Sequence, residues 1–255
     1  MEEEKQKGPH TKLLQADGLI IKPILVQPKT ERFQCDVYST DTDGQGIASD
    51  PMFKAVEARP TERYMKKALY SSEGVSPCLV VFNKDKENLE LEGTPFMEIL
   101  KRVDSERNEY VVVTKENASE DVIGTIAYRI IRDRIQFVLK GSECSLIVEG
   151  RTCRAYSVGC LVSCGSVNRV HNNELLIYQE KPKSFGKIPD PVLMLDGLGS
   201  KPEGAIGKIL RLKKVERNGR KRDIFLGFPK AAYDEERSLL LALTLLTSYK
   251  FFASS

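Results

Sequence analysis

Short apolar runs broken by turn-forming residues fill the chain from Gly18 to Lys214. "GLIIKPILV" (18–26), "RFQCDVYS" (32–39), "CLVVFN" (78–83), "NLELEG" (88–93) and "EYVVVTK" (109–115) are rich in β-branched and aromatic residues, and so predict strands. "DVIGTIAYRI", "RIQFVLK", "CSLIVEG", "ELLIYQE" and "AIGKILRLKK" continue the pattern, with no convincing long helix between them. About a dozen strands at this spacing predict an antiparallel sandwich or barrel. The segment from Asp50 to Gly74 interrupts the series as a weak helix or long loop, because Pro60 would break a helix there.

The pattern changes at the end. From Asp234 to Phe252 the periodicity predicts a helix, with Asp234, Glu235 and Glu236 at its positive end and Lys250 at its negative end. Its apolar residues, Leu239, Leu240, Leu241, Leu243, Leu245, Leu246, Phe251 and Phe252, leave no polar face. The uninterrupted apolar run is about eight residues, against the roughly 20 that a spanning helix needs. A helix that is apolar all round but too short to span belongs inside a protein core. The expected fold class is therefore mainly β, an antiparallel barrel enclosing a C-terminal hydrophobic helix. The expected organisation is a polar leader over 1–16 and one barrel domain over 17–255, its helix at 234–252.

An internal similarity fits two related half-barrels. Without gaps, Leu79–Gly93 superposes on Gln136–Gly150, matching Val81 with Val138, Leu89 with Leu146, Glu92 with Glu149 and Gly93 with Gly150. Two unrelated hairpins of ordinary composition would look much the same.

Composition narrows the chemistry. The net charge of +3 over 255 residues does not by itself imply nucleic acid, so any basic surface must be local. The six cysteines are dispersed, and the charged start "MEEEKQKGPH" has no apolar signal core, which predicts reduced thiols rather than a secreted disulfide framework. His10 and His171 sit in no nucleophile motif, and no phosphate-binding glycine loop or zinc-protease motif occurs. No covalent catalysis is expected.

Two candidate metal loops read more simply as structure. "DTDGQGIASDPM" (41–52) has Asp41, Asp43 and Gly46 at calcium-loop positions, but Met52 stands where a bidentate glutamate is needed, so a polar hairpin turn is expected. Cys160 and Cys164 in "CLVSC" could join Cys144 or Cys153 around a metal, but the spacing alone is a weak signal and buried structural thiols are the expected reading.

The strongest positive feature is "KILRLKKVERNGRKR". Lys208, Arg211, Lys213, Lys214, Arg217, Arg220, Lys221 and Arg222 face one acid, Glu216, and "RNGR" marks a hairpin tip. Such a hairpin attracts anionic lipid headgroups at about 1 kcal/mol per residue near the surface. Import signalling, nucleic-acid phosphates or a merely solvated face would use the same residues.

Several of these segments, in order, resemble the phospholipid scramblase family. "DIFLGFPKAAYDEERSLLLALTLLTSYKFF" (223–252) is similar to the family's Phe-Pro element and closing apolar helix, and "AIGKILR" (205–211) to its Val-Gly-Lys-Ile strand. "IGTIAYRIIRDRIQFVLKGSECSLIVEGRTC" (123–153) and "PCLVVFNKDKENLELEGTP" (77–95) resemble its paired hairpins, and "FQCDVYSTDTDGQGIA" (33–48) its first strand and turn. The resemblance implies the tubby-like fold, twelve strands around a central C-terminal helix. It also implies binding of anionic phospholipids at the cytoplasmic face of the plasma membrane, with transbilayer lipid movement as the activity; cytosol or nucleus is the alternative location.

The family's calcium stretch does not carry over. Where acids would stand before the Phe-Pro, this chain has Arg220, Lys221 and Arg222, leaving Asp223 alone, while calcium takes six to eight oxygens. No cofactor is expected, calcium remaining an implication of the resemblance only. The palmitoylated cysteine cluster is absent from 94–110. Two function classes follow: a scramblase-like protein that binds phospholipid without direct calcium binding, or a soluble interaction or regulatory protein on the same barrel.

Overall fold

The computed structural model describes residues 9–24, 33–58, 75–84, 95–102, 108–116, 119–131, 134–155, 167–170, 174–180, 204–212, 214–216, 219–221 and 223–252. The described strands are β1 (Gly18–Pro23), β2 (Gln34–Thr40), β3 (Phe53–Glu57), β4 (Val75–Asn83), β5 (Met97–Arg102), β6 (Asn108–Glu116), β7 (Ser119–Ile131) and β8 (Arg134–Gly141). They continue as β9 (Ser145–Ala155), β10 (Val167–Val170), β11 (Glu174–Gln179), β12 (Gly207–Arg211), β13 (Lys214–Glu216), β14 (Gly219–Lys221) and β15 (Ile224–Gly227). Two helices complete the list: α1 (Pro9–Gln15) and α2 (Asp234–Thr247), the latter running on into a wider π turn at Ser248–Phe252.

Twelve strands close on themselves. β1 to β9 follow one another, each antiparallel to the next; β9 then pairs with β11, β11 with β12, β12 with β15, and β15 with β1. The last joint sets Gly18 opposite Gly227 and Ile21 opposite Ile224. Closure leaves these strands without a free edge. β10 pairs outside the ring with the far end of β9, Val167 opposite Ala155.

Alternation puts one face of every strand inside. Leu19 and Ile21, Cys35 and Val37, Leu79 and Val81, Phe137 and Leu139, and Leu146 and Val148 all join one core with α2. Eight strands make a barrel that side chains alone can fill. With strands about 4.8 Å apart and tilted about 40°, twelve give a radius of roughly 12 Å, room for a helix along the axis. α2 occupies that space, and every residue from Glu236 to Thr247 is buried. The two hydroxyls in its second half turn back on the helix: Thr244 Oγ1 donates to Leu240 O at 2.7 Å and Thr247 Oγ1 to Thr244 O at 2.9 Å.

Four described strands depart from the sequence reading. β3 lies in the segment expected as weak helix or loop, and β5, β10 and β15 also went unanticipated. In β5, Met97 to Leu100 are buried on both faces, which erases the alternation that marks a strand. The run 88–93 lies outside the described residues, and the strand that pairs with β4 is β5, Met97 opposite Val81. The second copy of the internal similarity is the β8–β9 hairpin.

The stretch read as a polar leader contains α1. Pro9 opens that helix, where its missing N–H costs nothing, and Leu13 is 0% exposed. Arg237 of α2 holds it in place. Its Nη1 donates to Leu13 O at 3.1 Å and to Ala16 O, its Nε to Ala232 O at 3.1 Å, and its guanidinium lies 4.7 Å from the Phe228 ring centroid. Burial lowers the Arg237 pKa, opposed by the charges of Asp17 and Asp234.

Candidate functional site

The predicted basic hairpin has its backbone in place. β13 and β14 form a separate two-stranded ribbon, with Lys214 opposite Lys221 and Val215 opposite Arg220. The tip expected at 217–218 lies outside the described residues. Lys208 is exposed on β12 and Arg211 half-buried at its end. Lys213, Arg217 and Arg222 lie outside the described residues, as do the side chains of Lys214, Arg220 and Lys221.

Among positions 220–223, the side chain of Asp223 alone is described. Asp223 is buried, its backbone carbonyl accepts from Leu212 N at 2.7 Å, and three cations precede it in sequence. The other candidate loop is spent on its own turn. The Asp41 carboxylate accepts from Gln45 N at 2.8 Å, Gly46 N at 2.9 Å and Asp43 N at 3.2 Å, and these bonds, Gln45 first, lower its pKa. Gly44 takes φ +75° there, and a Cβ at this position would lie 3.0 Å from the Phe225 ring. The loop joins β2 to β3, which pair antiparallel, so it is a hairpin turn. Among the described residues no cluster of three or more His, Cys, Asp or Glu could hold a metal ion. Cys153, Cys160 and Cys164 fall outside the described side chains, as do His10 and His171.

α2 links the two mouths of the barrel. At its first turn the Glu236 carboxylate accepts from Tyr233 N at 3.1 Å. Glu235 reaches the β8–β9 turn, accepting from Ser142 N, from Ser142 Oγ at 2.9 Å and from Glu143 N at 3.3 Å. Desolvation pushes the Glu235 pKa up, but these hydrogen bonds outweigh it and leave the carboxyl below its ordinary value. A Cβ on Gly141 would stand 2.4 Å from that carboxylate, so the bare backbone makes room for it.

The opposite mouth gathers polar groups that sequence gave no reason to connect. Tyr249 Oη donates to Glu57 Oε1 at 2.6 Å, and the other Glu57 oxygen accepts from Phe33 N at 3.2 Å. The Tyr249 ring lies 5.4 Å from that of Phe33. Lys250 Nζ stands over two tyrosine rings, 4.9 Å from the centroid of Tyr110 and 5.8 Å from that of Tyr128. Burial lowers the Lys250 pKa; the Cys78 thiol opposes this and Lys101 adds to it. Burial pushes the Cys78 thiol up to about 11, and raises Tyr110 and Tyr249 as well. Apart from Phe33, these residues come from β3, β4, β5, β6, β7 and the π turn, and the sheet order and the central helix bring them together.

Of the predicted helix residues, Leu239, Leu240, Leu241, Leu243, Leu245 and Leu246 are all in the core, while the side chains of Phe251 and Phe252 lie outside the described set. Among the described residues no helix is long and apolar enough to cross a membrane. Fold and site together define the class: a closed twelve-stranded antiparallel barrel threaded by its own C-terminal helix, with a cationic ribbon beside it. No family model, curated protein or solved structure matches the chain.

Proposed function

We propose that this chain is a scramblase-like, tubby-like barrel that binds anionic phospholipid at the cytoplasmic face of the plasma membrane, without direct calcium binding, and moves lipid between leaflets. The observation that carries the reading is the segment Lys208–Arg222, eight cations against one acid, whose central part is an independent hairpin. Near an anionic surface each such residue contributes about 1 kcal/mol. The order of the family-like segments along the chain supports the same reading. No bond is made or broken in this activity, which accords with the lack of a nucleophile motif in the sequence.

A second reading, a soluble interaction or regulatory protein, draws on the burial of α2. That helix cannot reach lipid unless the barrel opens. Flotation with vesicles separates the two. Purified protein is mixed with neutral or anionic vesicles, with and without calcium, alongside a variant carrying Arg220→Glu, Lys221→Glu and Arg222→Glu. The lipid reading expects calcium-independent flotation with anionic vesicles only, lost in the variant at an unchanged melting temperature. Flotation that the charge reversal leaves untouched would remove it.

A further inference from the structure

At the Tyr249 mouth two lysines come close to one another near a buried phenol. Lys101 on β5 lies directly across from Tyr110 on β6, and Lys250 stands over the Tyr110 ring at 4.9 Å. Neither lysine meets a carboxylate among the described residues. Glu57, the carboxylate at this mouth, is already engaged by Tyr249 Oη and Phe33 N–H. Tyr110 is 1% exposed, and its hydroxyl has no hydrogen-bond partner among the described residues. A buried hydroxyl left unmade costs about 1–3 kcal/mol. Two nearby cations with no counter-ion among the described residues repel one another, and the depressed basicity of Lys250 is in part the effect of Lys101.

One kind of occupant relieves all three deficits. An anion beside Lys101 and Lys250 offsets their repulsion and accepts the Tyr110 hydroxyl proton in a hydrogen bond. A phosphate monoester has a second pKa near 6 and so carries about −1.5 to −2 at neutral pH, which matches two ammonium groups where a carboxylate matches one. We propose that the Tyr249 mouth of the barrel is a binding site for a phosphate monoester group, held by Lys101, Lys250 and the hydroxyl of Tyr110. The site is separate from the β13–β14 ribbon and does not rest on the reading given to that ribbon.

The test is calorimetric titration of the full chain with inorganic phosphate, at ionic strength held constant with sodium chloride. Wild type is compared with Lys250→Met, Lys101→Met, Tyr110→Phe and the triple charge reversal in the hairpin. Saturable binding is expected in wild type and in the hairpin variant. Tyr110→Phe should weaken it about tenfold, the loss of one hydrogen bond to a charged partner, and each lysine variant at least as much. Lys101 is exposed, so its variant keeps the test valid should Lys250→Met fail to fold. No saturable heat up to about 20 mM phosphate, or equal affinity in wild type and the Lys101 and Tyr110 variants, overturns the proposal. Vesicles containing phosphatidic acid then identify the source. Sedimentation lost in Lys101→Met and Lys250→Met assigns a lipid headgroup; sedimentation unchanged in both, with phosphate binding lost, assigns a small soluble phosphate monoester.

Discussion

Replacing Arg237 with methionine keeps most of the apolar packing on Phe228 while removing the hydrogen bonds by which Arg237 ties Leu13 and Ala16 to the central helix. Two responses are open to the protein, and their costs can be compared. If α1 stays docked, the carbonyls of Leu13, Ala16 and Ala232 lose their charged donor. At about 1 kcal/mol each, the low end for a buried unsatisfied group, the loss is about 3 kcal/mol. If α1 leaves, its carbonyls find water, but the fully buried Leu13 is exposed at a cost of about 2 kcal/mol, and Ala232 O still loses its donor. The two routes come out level, so the expected destabilisation is about 3 kcal/mol whichever is taken. Urea unfolding reads it directly: with a slope of about 3 kcal/mol per molar, the midpoint should fall by about 1 M. Amide exchange over Pro9–Ala16 then tells the routes apart, since only undocking deprotects that segment while α2 stays protected. A midpoint within about 0.3 M of wild type, with α1 amides still slow, would refute the assignment of Arg237 as the anchor.

Two further perturbations probe the same axis. Leu241→Ala should cost about 3–5 kcal/mol in urea unfolding, since a fully buried leucine has little freedom to be replaced by collapse, and Leu245→Asp should abolish soluble expression; a soluble, cooperatively folding Leu245→Asp protein would contradict the enclosed helix. Glu235 has a folded-state pKa below its unfolded value of 4.5, so its contribution is present above pH 4.5 and lost as pH falls through the lower folded value. Glu235→Gln should therefore destabilise at pH 7 and converge on wild type in acid melts, and a pH-independent difference would show that the Ser142 bonds are not what lowers that pKa.

How much of this was legible beforehand depended on whether the signal was local. β1, β2, β4, β6 to β9, β11 and β12 announce themselves through β-branched alternation, and α2 through an apolar run too short to span. β5 was hidden because "MEIL" is buried on both faces, and β3 because "FKAVE" is short and carries charges at a spacing that a helix shares. α1 did leave a trace: proline at its first position and glycine three residues past its end bracket one helical segment. The basic hairpin was readable because its cations are consecutive. The Tyr249 mouth was less so: Lys101 and Tyr110 face each other across the β5–β6 hairpin, but β5 was itself hidden, and Glu57 and Lys250 join them only through the sheet order and the central helix.

The seam between β1 and β15 also sets a schedule for biosynthesis. Ile21 must wait for Ile224, and the core that both strands line stays hollow until α2 follows. At about 5–20 residues per second, roughly 10–40 s separate the two partners on the ribosome. Throughout that interval the nascent sheet presents an open edge and a greasy concave face to its surroundings. The closed ring has no free strand edge to offer another chain, whereas the unfinished sheet keeps one until β15 and the central helix have been made.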